Sequence, residues 1–74
     1  MSEAPATLEV FVNDRPHALA APSTVAGLLR GLGLAAQRGV AAAVNGAVVP
    51  RAAWDTRALS GGDRVLVIRA TQGG

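Results

Sequence analysis

The chain has 74 residues, half of them apolar and 16% charged, which fits one small domain that presents a surface rather than a deep catalytic cleft, since folding at this size removes only about 60% of the unfolded chain's surface from water. Seven arginines and five acidic residues give a formal net charge of +2 without a single lysine, and the arginines are scattered rather than gathered in the basic stripe that nucleic acid demands. With no cysteine in the sequence, disulfides, thiolate metal sites and a cysteine nucleophile are excluded.

Residues 1–7, "MSEAPAT", have neither the basic segment nor the apolar core of a signal peptide, and no apolar run later in the chain approaches a membrane span. They read as a disordered extension ahead of a domain at 8–70, and the expected location is cytoplasmic, without membrane partners. "LEVFVN" then alternates, with Leu8, Val10 and Val12 on one face and Glu9 and Phe11 on the other, the pattern of a strand buried on one side. Asn13-Asp14 supplies turn chemistry, and "PHALA" is the return strand, with Pro16 at its start where a missing N–H faces solvent.

In "PSTVAGLLRGLGL", Ser23 or Thr24 can cap a helix that carries Val25, Leu28, Leu29 and Leu32 at i, i+3, i+4 and i+7. Gly33 ends it, because a glycine past the last periodic residue adopts the left-handed conformation without steric cost. Gly27 and Gly31 each weaken the helix by about 1 kcal/mol relative to alanine, so it must be held by packing its leucine stripe on a sheet. The run "VAAAVNGAVVP" is centred on Asn45-Gly46, a strong hairpin signal. "RAAWDTRALSGGD" is irregular, and "RVLVIRA" is the last strand.

The order strand, strand, helix, strand, strand, strand in so short a chain points to an α+β fold with one helix laid across one face of a mixed five-stranded sheet. A right-handed crossover places the last strand parallel to the first, which is the β-grasp, or ubiquitin-like, arrangement. If the helix covers the side of Val10 and Val12, then Phe11, Leu66 and Ile68 point to the open face, where an apolar patch serves for docking partners or is simply scattered exposed surface.

"VNGAVVPRAAW" from 44 to 54, "LSGGDRV" from 59 to 65 and the terminal "GG" together resemble the thiamine-biosynthesis sulfur carrier family, ThiS, over essentially residues 8–74. The resemblance implies a carrier, not an enzyme. The carboxylate of Gly74 would be adenylated with ATP and magnesium by a separate E1-like activating enzyme. It would then be converted to a thiocarboxylate by a sulfur donor such as a cysteine desulfurase system, and the sulfur would pass to a thiazole synthase. Glycine suits the task, since Gly73 and Gly74 let bare backbone enter a narrow active site, with Thr71 and Gln72 as the stem of a flexible tail at 71–74. An α-carboxyl group ionises at about pH 3.5 and is an unreactive carboxylate at neutral pH, so activation must come from a partner. The small subunit of molybdopterin synthase and a ubiquitin-like modifier share this logic and stand as alternatives.

Neither a catalytic residue nor a metal ligand set is expected in the chain itself. Trp54 and Leu59 are expected to close the end of the core, and His17 to sit exposed on an edge strand. Arg51, Arg64 and Arg69 read either as a solvated charged face or as contacts to an acidic rim on a partner. Asn45, Gly46, Gly62 and Asp63 read as turn residues.

Overall fold

The computed structural model describes residues 7–69. The strands are β1 (Thr7–Val12), β2 (Arg15–Ala20), β3 (Val40–Val44), β4 (Ala47–Val49) and β5 (Arg64–Arg69), and the helix α1 (Val25–Gly31) lies between β2 and β3. They form one sheet in the order β2-β1-β5-β3-β4. β1 and β5 run parallel, and every other neighbouring pair is antiparallel. This is the α+β, β-grasp arrangement read from the sequence, with β1 starting one residue earlier, at Thr7. The extension expected before that residue and the tail at 71–74 lie outside the described residues.

Both hairpins turn on an asparagine in the left-handed region. Asn13 and Asp14 have φ of 50° and 70°, and Asn45 and Gly46 have 51° and 86°, the positive values that a two-residue type I′ turn requires at both central positions. Such turns match the right-handed twist of the strands they join, so they also fix register: Val10 faces His17 across β1 and β2, and Ala43 faces Val48 across β3 and β4.

The helix is only seven residues long, too short to persist alone, and its ends are tied down. Thr24 is the N-cap, its Oγ1 accepting from the Gly27 N–H at 3.1 Å. At the other end Gly33, with φ of 77°, lets its own N–H reach the Arg30 carbonyl at 3.0 Å and the Leu34 N–H reach the Leu29 carbonyl at 2.8 Å, the paired bonds of a Schellman stop. Between these ends Val25, Leu28 and Leu29 are fully buried against Val10, Val44, Val65 and Val67 of the sheet. That burial, at roughly 1.5–3 kcal/mol for each large side chain, offsets the poor helix propensity of the two glycines.

The stretch read as irregular has a definite job. It opens with a single 3-10 turn at Arg51–Ala53, and its carbonyls at Trp54 and Arg57 then accept the first-turn N–H groups of Ala26 and Val25, at 2.9 and 3.0 Å. Donors that α1 cannot satisfy internally are thus supplied from a segment nearly thirty residues away. Trp54 and Leu59 are buried at the end of the core as expected, and the Trp54 indole N–H donates to the Val49 carbonyl at 2.9 Å.

Candidate functional site

The sheet grips the described end of β5 from two sides. On one side, pairing with β1 lasts only to Val12 opposite Val65, because the chain must turn at Asn13. The Asn13 N–H still donates to the Val65 carbonyl at 2.9 Å, and its side-chain amide then acts as one more strand residue. Its Nδ2 donates to the Val67 carbonyl at 3.1 Å, and its Oδ1 accepts from the Val67 N–H at 2.8 Å. On the other side β3 pairs with β5 as far as Val40 opposite Arg69. The described end of β5 is therefore held from both flanks. Thr71, Gln72, Gly73 and Gly74, on which the sequence reading centred, lie outside the described residues.

The opposite end of β5 is fixed by the other turn asparagine. Asn45 Oδ1 accepts from the Arg64 N–H at 2.9 Å while its Nδ2 donates to Asp63 Oδ1 at 3.0 Å, and Asp63 Oδ2 accepts from the Ser60 N–H at 2.8 Å. Asn45 and Asp63 thus have the structural duty read for them. Asn13 was read only as a turn former, and its long-range pairing with Val67 was missed; nothing local in the sequence signals a contact spanning 54 positions.

Along β5, burial alternates strictly: Val65 is 2% exposed, Leu66 50%, Val67 8% and Ile68 53%. Leu66 and Ile68 stand on the face away from α1, and register puts half-buried Phe11 on the same face. The structure therefore brings Phe11, Leu66 and Ile68 together on one surface. Ala43 and Ala41 lie opposite Leu66 and Ile68 on β3, and their small side chains leave the larger ones standing clear. Val48 of β4, opposite Ala43, extends the patch and is the most exposed large apolar residue described, at 76%. The sequence reading missed it, although counting alternate positions outward from the Asn45-Gly46 turn separates Val48 from buried Val49.

Two other expectations need correction. His17 lies on edge strand β2 but is half-buried, because register with Val10 turns its side chain to the helix-covered side. Arg51 is neither a merely solvated charge nor a free rim group. Its guanidinium donates to the Ala35 and Gln37 carbonyls at 2.9 and 2.6 Å and lies over the Trp54 ring, 4.5 Å from the centroid. It clamps the loop that leads into β3. Arg64 and Arg69 are exposed, and the ion pair found among the described residues joins Arg30 to Asp55 instead, at 3.7 Å. Among those same residues no group of three or more His, Cys, Asp or Glu could hold a metal ion, and no helix is long and apolar enough to cross a membrane.

Comparison with known proteins agrees with this architecture over nearly the whole chain. The ThiS family model matches residues 5–74. A crystal structure of a thiamine biosynthesis protein (ThiS) from Geobacter metallireducens superposes with a TM-score of 0.76 at 30% identity, covering 90% of this chain and 100% of that one. A solution structure of a thiamine biosynthesis protein from the same organism gives 0.75 at 30% identity, covering 90% and 88%. No match is found among curated proteins. On the extent of the family match and the shared fold, the chain belongs to the ThiS family of small sulfur-carrier proteins.

Proposed function

We propose that the chain carries sulfur for synthesis of the thiamine thiazole ring as a thiocarboxylate on Gly74. The activating partner uses ATP and magnesium: the Gly74 carboxylate attacks the α-phosphorus of ATP, pyrophosphate leaves, and an acyl-adenylate results. Hydrosulfide then attacks the carbonyl carbon and AMP leaves, giving the thiocarboxylate directly; a protein persulfide attacking in its place leaves an acyl disulfide, whose S–S bond a thiol reductant must cleave to release the thiocarboxylate. The thiazole synthase takes the sulfur. The observation that supports this reading is the two-sided grip on β5 by Asn13 and β3, which fixes the strand that precedes Ala70, Thr71, Gln72, Gly73 and Gly74 in the sequence. Without a cysteine, the carboxyl group of Gly74 is the position in this sequence suited to hold sulfur.

The exposed patch of Phe11, Leu66 and Ile68, widened by Val48, is the surface on which partners dock in this reading. Leu66 and Ile68 lie on β5, the strand that precedes residues 70–74 in the chain, so a protein seated there binds close to the end of that strand. Large apolar side chains exposed on the same open sheet face are the kind of surface that partners use. Intact-mass spectrometry tests the chemistry. Incubation with the E1-like enzyme, ATP, magnesium and sulfide should raise the mass by the difference between one sulfur and one oxygen, and the product should be consumed by thiazole synthase. A mass that never changes would overturn the carrier reading, and consumption by molybdopterin synthase instead would reassign the pathway.

A further inference from the structure

On the helix-covered side, at the end of the sheet from which β5 departs, an open groove of about 690 Å³ lies between α1's end and the first hairpin turn. Its apolar surface comes from Val12, Leu32, Leu34 and Val67, and Arg15 and Arg69 line it as well. This is the reverse side of the sheet from Leu66 and Ile68. The groove is also preformed: the Schellman bond of Leu34 to Leu29 sets one wall, and the Asn13 amide bonded to Val67 sets the other.

Both arginines are exposed, and among the described residues neither is paired with an acid. Two guanidinium groups in an open groove of mixed polar and apolar lining favour an anionic occupant. The four apolar side chains lie among the polar groups of Asn13, Arg15 and Arg69, so the lining is mixed. It fits an apolar side chain flanked by carboxylates, for which arginine offers planar, paired donors.

We propose that this groove receives an acidic, apolar-tipped segment of the enzyme that adenylates Gly74, so that the partner grips the tail root from both faces of the sheet. This rests on the carrier reading above. Arg69 both lines the groove and is the last described residue before the tail, so an occupant seated there touches the stem that must enter the partner's active site.

The test uses the full chain with Arg15→Glu, assayed for thiocarboxylate formation with the E1-like enzyme, ATP, magnesium and sulfide at low and high salt. The expected result is a KM raised about tenfold or more with kcat unchanged, and loss of the salt dependence shown by the unaltered chain. Arg30→Glu, the same charge change on the exposed side of α1, should leave KM within about twofold, since exposed ion pairs contribute little. An unchanged KM in Arg15→Glu overturns the proposal. So does a lowered KM, which would mean that the groove holds the chain's own tail. If the unaltered chain forms no thiocarboxylate at all, the carrier reading itself fails, an outcome distinct from a groove that does not matter.

Discussion

The two faces of β5 carry residues of similar chemistry to opposite ends. Val65 and Val67 are sealed beneath α1, while Leu66 and Ile68, equally apolar and on the same strand, stand half exposed. A sheet in a larger α/β protein would be covered on both sides and read as an unbroken apolar run. Here "VLVI" has that appearance, yet among the described residues α1 is the one α-helix that covers it. The difference teaches that hydrophobicity in so small a domain is divided between side chains sealed in the core and side chains left on the surface, and that strand alternation decides which residue is which.

Substitutions should separate the two sets. Val65→Asp, at a position only 2% exposed and away from the groove, places a charge under the helix without a partner, a cost of several kcal/mol or more against a total stability of about 5–15 kcal/mol. The domain should lose its cooperative thermal transition, and a melting curve close to that of the unaltered chain would show that the face is less sealed than its burial indicates. Leu29→Ala, on the opposing surface of α1, should cost about 2–5 kcal/mol, measured by denaturant unfolding. Asn13→Ala should cost about 1–3 kcal/mol through two lost bonds to Val67, with faster amide exchange at Val67 as its specific mark.

On the open face the ranking in stability reverses the ranking in function. Leu66→Asp should change stability by no more than about 1 kcal/mol, yet it should abolish measurable binding to the activating enzyme in calorimetry. Deleting Gly74 should alter the melting temperature least of all, as terminal residues rarely contribute packing. It should nonetheless eliminate the sulfur-dependent mass increase. A large stability loss from that deletion would break the separation between scaffold and tail.

Much of this division was legible in the sequence because it depends on period and punctuation. The leucine spacing of α1, the Asn45-Gly46 turn and the alternation in β5 are local signals, and they sufficed to place Phe11, Leu66 and Ile68 on one face. Less legible was whatever depends on register between distant segments. His17 was assigned to solvent from its position on an edge strand, whereas the register set by the tight Asn13-Asp14 turn rotates it inward. The segment after Pro50 has no period, so its supply of acceptors to the first turn of α1 left no trace. The groove draws its lining from three stretches far apart in the chain, around positions 12–15, 32–34 and 67–69, and no one of them announces it.

The Asn13 amide has a consequence for solubility. A parallel strand that outruns its neighbour exposes the N–H and C=O of its unpaired residues, and such an edge on an apolar strand is a template for joining another copy. At Val67 both groups are already taken by one side chain. That stretch of the β5 edge therefore offers another copy of the chain no free backbone group at Val67.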